Sequence, residues 1–339
     1  MLDVRRLRLL RELAHRGTIA AVAEALAFSP SAVSQQLSVL EREAGVPLLE
    51  RTGRRVSLTP AGRNLVRHAE AVLERLELAA AELVDARQGP AGPLRIGTFP
   101  SAARAIVPGA LAVLAREHPA LEPMVAEMDP ADVADALRAG ELDVALVHDY
   151  DFVPSPAEPG LATEPLFSEA MYLASARTDG AALASARTDG AALASARTDG
   201  AAPAATPASA GAAAASAPVD PVAAHRDTPW IMGTPGTLCR TMAVRACEAA
   251  GFTPRVRHQV DEFATVLALV AAGQGVALVP RLGAVDPPPG VLLTELAMCR
   301  RTRTAFRSGA ATHPAVAAFT AALRTTLPSA LGSATAPGS

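Results

Sequence analysis

The sequence predicts an α/β protein with an N-terminal winged helix-turn-helix. Three observations carry that prediction. Apolar residues recur at helical spacing through the first 45 residues; a turn with three arginines follows; and beyond residue 92 strand-like runs alternate with helical ones. The 339 residues suffice for two or three domains. With 50 % hydrophobic but only 3 % aromatic residues, the cores are aliphatic and a fully disordered chain is excluded.

Val4, Leu7, Leu10, Leu13 and Ala14 share one helical face, and Gly17 stops that helix. Thr18 can cap a second helix with Ile19, Val22, Ala23 and Leu26 inward. Ser29 is a good N-cap and Pro30 suits the first helical position, where its missing N–H costs nothing. The helix from Pro30 to about Ala44 turns Val33, Leu37 and Leu40 inward and ends at Gly45. Ser31, Ser34, Gln35 and Ser38 lie largely off that stripe. Serine and glutamine on a lone helix are ordinarily just solvated. Here the helix is the second of a tight pair, and such a helix can enter a major groove, where Gln pairs with adenine and Ser reaches a phosphate or base edge. Arg51-Thr52-Gly53-Arg54-Arg55 and the extended run after it read as a wing, its arginines Arg51, Arg54 and Arg55 against the nucleic-acid backbone.

Charge supports a local contact. Residues 1–68 carry 11 arginines against 6 acidic residues, within a chain of net charge -3. A basic head on an acidic body is what contact with phosphate needs. The domain reading is therefore residues 1–58 as the head, 59–88 as a linker helix, 92–325 as the body and 326–339 as a flexible tail. The linker begins with Thr59-Pro60, and Leu65, Ala69, Val72, Leu76, Ala80 and Leu83 form its stripe. At 1.5 Å per residue its length is roughly 43 Å, which calls for a partner helix from a second subunit. A dimer would place two recognition helices on a roughly palindromic operator.

After Gly89-Pro90-Ala91-Gly92-Pro93, the body reads as strand-helix-strand units around a parallel sheet, with strands at Leu94–Thr98, Val125–Met128, Leu142–Val147 and Val276–Pro280. Short strands are expected within Leu161–Leu173. The decapeptide Ser-Ala-Arg-Thr-Asp-Gly-Ala-Ala-Leu-Ala fills 175–184 and 185–194, and recurs at 195–204 with Pro203 for leucine. One leucine per unit builds little core, so 175–224 reads as a repeat-rich surface insertion without stable order. Two strand-to-helix corners, Thr98-Phe99-Pro100-Ser101 and Thr234-Pro235-Gly236-Thr237, offer hydroxyls and free N–H groups to a polar ligand, although ordinary helix capping explains either one alone. The effector-contact candidates are thus Thr98, Pro100, Ser101, His148, Thr234, Gly236 and Thr237.

Catalytic signatures are missing: no GxSxG, HExxH, P-loop, GxGxxG or CxxC occurs. Cys239, Cys247 and Cys299 make no disulfide scaffold and lack metal-ligand spacing. No cofactor, no metal and no enzyme activity are expected. The charged N-terminus has no signal-peptide core and no run suits a membrane span, which leads to a cytoplasmic expectation. The competing class is a small-molecule-binding protein or metabolic enzyme with a helical N-terminal dimerisation module; an acidic face around Ser34 and Gln35 would favour it.

The head resembles that of LysR-type transcriptional regulators. The residues carrying the resemblance are Ala20-Ala21-Val22-Ala23-Glu24-Ala25-Leu26, Ser29-Pro30-Ser31-Ala32-Val33-Ser34-Gln35-Gln36-Leu37, Leu40 to Arg51 and Leu58-Thr59-Pro60-Ala61-Gly62, with Leu94-Arg95-Ile96-Gly97 and Gly273 to Pro280 in the body. The resemblance covers roughly residues 1–325, and departs at Gln36, where many members have arginine. It implies a dimerising linker helix and a two-lobed, periplasmic-binding-protein-like effector domain, with lobe one at about 92–167 plus 281–325 and lobe two at 168–280. It further implies a homodimer or homotetramer on double-stranded promoter DNA, a small-molecule effector bound by the candidates above, and RNA polymerase as a further partner that the resemblance allows.

Overall fold

The computed structural model describes residues 1–52, 55–85, 89–153, 157–177 and 220–327. The bulk of the repeat insertion, the wing tip at Gly53 and Arg54, and the expected tail from residue 328 lie outside the described residues. Two compact units emerge: 1–169 with 299–339, and 170–298.

In the first unit, α1 (Val4–Arg16), α2 (Ile19–Ala25) and α3 (Pro30–Ala44) make the head. Each start is capped by a side-chain oxygen: Asp3 accepts from the N–H groups of Arg5 and Arg6, Thr18 from Ala21 and Ser29 from Ala32. Gly17 and Gly45 end α1 and α3 at φ 73° and 71°, a left-handed backbone that a side chain would strain. Leu10, Val22, Val33, Leu37, Leu40 and Leu48 are buried together. The hairpin of β1 (Leu49–Thr52) and β2 (Arg55–Leu58) pairs antiparallel, with Thr52 opposite Arg55.

The linker helix α4 (Pro60–Asp85) is anchored to the hairpin base. Thr59 donates its N–H to the Leu48 carbonyl at 2.9 Å and its hydroxyl to the Pro47 carbonyl at 2.9 Å. That carbonyl of Leu48 sits where a Cβ on Gly62 would meet it at 2.2 Å. Glycine at 62 is therefore needed for space, with no special backbone angle involved.

The same unit holds β3 (Gly92–Thr98), α5 (Pro100–Ala105), α6 (Val107–Glu117), β4 (Leu121–Glu127), α7 (Pro130–Ala139), β5 (Val144–Tyr150) and α10 (Pro314–Thr326). β3 pairs parallel with β4 and β5. The expected all-parallel sheet is corrected by β10 (Val291–Arg307), which runs antiparallel to β5 from Arg300 opposite Tyr150 to Ala305 opposite Ala145. In this unit the strand order is β4-β3-β5-β10. The expected short strands are one long strand, β6 (Leu161–Ala176), whose end takes in the first two residues of the repeat.

In the second unit, the C-terminal part of β6 pairs antiparallel with β9 (Ala277–Pro280), and β7 (Pro229–Met232) pairs parallel with β8 (Arg255–Gln259). Helices α8 (Leu238–Ala249) and α9 (Phe263–Ala271) complete it, with Ala174, Ile231, Val266, Leu267, Val270, Ala277 and Val279 as one core cluster. Val222, within the expected insertion, is buried. Residues 281–298, expected with lobe one, belong to this unit: Gly283 lies against the Phe263 ring, and β10 begins here.

A fully buried ion pair joins Arg300 of β10 and Glu169 of β6, at 2.7 Å with side chains 1 % and 0 % exposed. Burial opposes the Arg300 charge, but Glu169 and Tyr150 outweigh it and hold the guanidinium above its usual pKa. Removing one partner of such a pair strands the other charge.

Gly62→Ala should lower the thermal midpoint, through a loss of about 1–3 kcal/mol from forced movement around Leu48; an unchanged midpoint would contradict the contact. Arg300→Met should cost about 3–5 kcal/mol, and Arg300→Met with Glu169→Leu should recover most of it in denaturant titration. Equal losses in the single and double variants would show that the stranded charge is not the cause.

Candidate nucleic-acid interface and effector site

The sequence of α3 assigns its two faces. Val33, Leu37 and Leu40 are buried, while Ser29, Ser31, Gln35 and Ser38 are exposed and Ser34 is half-buried. Ser29 is occupied as the cap, accepting from the Ala32 N–H at 3.2 Å and lying 3.0 Å from the Ser31 hydroxyl. Arg42 is exposed and continues the edge one turn beyond Ser38. Sequence reasoning missed it, although its spacing of four from Ser38 was visible. Ser31, Gln35, Ser38 and Arg42 form a polar stripe with one positive charge, which does not fit the acidic face expected of the competing class.

Gln36 faces the other way. Its side-chain oxygen accepts from Arg6 Nε at 2.9 Å, and the same arginine pairs with Glu43. Arg51 and Arg55 lie on β1 and β2 at the two sides of the hairpin, and Arg54 is outside the described residues.

Head charge is not all available to a nucleic acid. Arg8 and Arg11 donate to backbone carbonyls at the end of α7, and Arg16 pairs with Asp135 at 3.1 Å and with Glu12 at 3.0 Å. The basic surplus read from composition thus includes arginines committed to the protein itself.

In the first unit of the body, Ser101 and His148 are linked through Arg300 and Phe99. Thr98 is 0 % exposed and Ser101 5 %, while Pro100 is exposed at the first position of α5. His148 stands edge-on to Phe99 and Tyr150, with ring centroids 4.6 and 5.2 Å away. Arg300 donates to the Ser101 hydroxyl at 3.0 Å and stacks 4.8 Å above the Phe99 ring. Burial, then Arg300, pushes the His148 pKa well down, so its ring is neutral at pH 7. His148 Nδ1 and Thr302 Oγ1 are buried without a hydrogen-bond partner. Arg300, Glu169 and Tyr150 were absent from the sequence-derived site.

The second corner is a turn in the other unit. The Thr237 N–H bonds the Thr234 carbonyl at 3.3 Å, and Gly236 takes φ 97°, the conformation a type II turn requires at that place. Asp261 accepts from both the N–H and the hydroxyl of Thr234, at 2.8 and 2.9 Å. Thr237 caps α8 by accepting from the Arg240 N–H. Two N–H groups expected to be free are therefore used, that of Thr237 within the turn and that of Thr234 by Asp261. Cys247 is buried, and burial, then Glu248 and Asp220, raises its thiol pKa to about 12. Among the described residues, no group of three or more His, Cys, Asp or Glu could hold a metal ion, and no helix is long and apolar enough to cross a membrane.

Comparison with known proteins agrees with both parts. Residues 4–63 match the model of the bacterial regulatory helix-turn-helix protein, lysR family, and residues 87–328 match the LysR substrate binding domain. A probable hydrogen peroxide-inducible genes activator of Mycobacterium xenopi is 40 % identical over 169 residues, covering 50 % of this chain and 86 % of its own. A protein of the same description from Streptomyces viridosporus is 30 % identical over 319 residues, covering 89 % and 87 %. Among solved structures, a full-length OxyR variant from Pseudomonas aeruginosa shares the fold with a TM-score of 0.54 at 22 % identity, covering 96 % of this chain and 99 % of that one. With both its helix-turn-helix and its substrate-binding segment matched, this chain belongs to the LysR family of DNA-binding transcriptional regulators.

Proposed function

We propose that the exposed edge of α3 reads an operator, that the β1–β2 hairpin grips the flanking backbone, and that a small molecule acting on the body modulates the outcome. The observation that carries this is the two-faced α3: a capped helix whose buried stripe is complete without Ser31, Gln35, Ser38 and Arg42. Ser34, half-buried, stands at the margin of the edge. Gln35 is placed to make the base contact; Arg51, Arg54 and Arg55 serve phosphates.

Regulators of this family bind DNA and form oligomers. In α4, Val72, Leu76 and Leu83 are 40, 47 and 70 % exposed, an apolar stripe suited to the same helix of a second copy. A homodimer through α4, or a homotetramer built from such dimers, would match a palindromic operator.

For the effector, the first-unit corner of Thr98, Pro100, Ser101 and His148 is the leading contact, and the turn of Thr234, Gly236 and Thr237 is the second candidate. The unpartnered His148 Nδ1 supports the first: a neutral ring nitrogen left unsatisfied inside the protein is available to a polar ligand. The relatives from Mycobacterium xenopi and Streptomyces viridosporus are probable hydrogen peroxide-inducible genes activators. In this chain the Cys247 thiol is held protonated, so a non-covalent ligand fits the described residues better than chemistry at that sulfur.

Gln35→Ala should reduce discrimination between the operator, mapped by footprinting on upstream DNA, and a mismatched duplex by about 10-fold or more; equal losses on both duplexes would reject base reading. Arg54→Ala should weaken both complexes and lower the salt slope of binding by about 1. An unchanged slope would count against a phosphate contact. Leu76→Glu should shift full-length protein toward monomer in sedimentation, and an unaltered dimer would place the interface elsewhere.

A further inference from the structure

The arginines of α1 point to a role for the head that its family membership does not supply. Arg8, Arg11 and Arg16 lie on the face of α1 turned to the last turn of α7. Arg8 Nη2 donates to the carbonyls of Arg138 and Ala139 at 3.1 and 2.8 Å, and Arg11 Nη2 to Arg138 at 3.4 Å. Arg16 reaches the Asp135 carboxylate and its carbonyl. These are the free carbonyls of a helix C-terminus, where partial negative charge gathers and cations are favoured. From the body side, Arg307 at the end of β10 donates to Leu137 and Leu142 carbonyls at 3.1 and 2.8 Å and bonds Glu77 of α4 at 2.8 Å.

The junction is polar and incompletely satisfied. It borders an open cavity of about 300 Å³ lined by Arg8, Arg11, Glu70, Glu74, Glu77 and Arg307, among others. Arg11 Nε, His15 Nδ1 and Glu70 Oε1 are buried there without hydrogen-bond partners. His15, its pKa lowered to about 4 by burial and then by Arg138, is neutral at pH 7, so its 3.5 Å approach to Glu70 is no ion pair. A contact held by hydrogen bonds and charges, with orphaned groups inside, has little net stability. Such a contact is reversible where an apolar one of equal size would not be.

Its position gives the reversibility a use. Five residues after Ala139, β5 begins, and it carries His148 further along; β10, paired with β5, carries Arg300 opposite Tyr150 and ends at Arg307. β5, which bears the candidate contact His148, and β10, which bears Arg300 bonded to Ser101, therefore both reach the junction.

We propose that α1 is a reversible arginine dock for the end of α7, and that docking fixes the orientation in which the head is offered to DNA. The exposed edge of α3 stays clear of the dock, so docking orients the head without masking it. The second half of the proposal rests on α3 as the reading helix.

The test uses the full-length protein and two readouts. In hydrogen exchange, Arg8→Glu places a carboxylate against the α7 carbonyls and should accelerate exchange in both 4–16 and 135–142, whereas Arg8→Lys should stay close to the unsubstituted protein. Unchanged exchange in Arg8→Glu overturns the dock. If exchange also rises across Pro30–Ala44, the head itself has loosened, and Asp135→Ala decides, because it removes a partner of Arg16 without altering the head; it must accelerate 4–16, and no acceleration overturns the proposal. The second readout uses a duplex selected by the unsubstituted protein from a random pool, then rebuilt with half a helical turn, about 5 base pairs, inserted at its centre. The unsubstituted protein should prefer the original spacing by about 10-fold or more, and Arg8→Glu should lose most of that preference. Equal preference in both proteins contradicts the orienting role. If the unsubstituted protein selects no duplex at all, it is the DNA reading that fails, and the exchange result still judges the dock.

Discussion

Everything rests on one division of labour within fifteen residues of helix. α3 buries Val33, Leu37 and Leu40 against α1, α2 and the base of the hairpin, each at 1 % exposure or less. At about 1.5–3 kcal/mol for each such side chain, that stripe holds the head together. Because the stripe is sufficient, the opposite edge is released from any duty in packing. A polar edge freed in this way, on a helix stiffened by a serine cap and a left-handed glycine stop, can be presented to a groove at little entropic cost. The hairpin and linker helix inherit their placement from the same core, through Leu48 and the Thr59 anchor.

Arginine is the only cationic residue type apart from histidine in this chain, and the structure divides it among several tasks. Arg6 fixes Gln36 and Glu43; Arg8, Arg11 and Arg16 bind the body; Arg300 neutralises Glu169 inside it. A guanidinium suits each task because it carries several donors in a planar fork and keeps its charge when buried. Charge counted along the sequence consequently overstates the charge the head can offer to phosphates. Among the described residues of the head, Arg42 on the α3 edge and Arg5 stay exposed.

Local signals made the head legible. Caps, proline at the first helical position, glycine stops and three-to-four spacing all act within a turn or two, and they place α1 to α3 closely. The corners at Thr98 and Thr234 were visible for the same reason. β10 was not, because its inward positions read Leu296, Met298, Arg300, Thr302, Thr304 and Phe306, and a buried arginine and two threonines break the apolar alternation that marks a strand. Arg300 faces inward only because Glu169 waits 131 residues earlier in the chain, and no local pattern reports such a pair. The same blindness hid the antiparallel member of the sheet and the α1–α7 contact.

The central claim concerns the α3 edge, and sequence selection measures it most directly. Purified full-length protein incubated with a random duplex pool, followed by sequencing of the bound fraction, should enrich two related half-sites arranged as an inverted repeat with one fixed spacing. Bound DNA indistinguishable in sequence from the starting pool would contradict base reading by that edge, however tightly the protein held it.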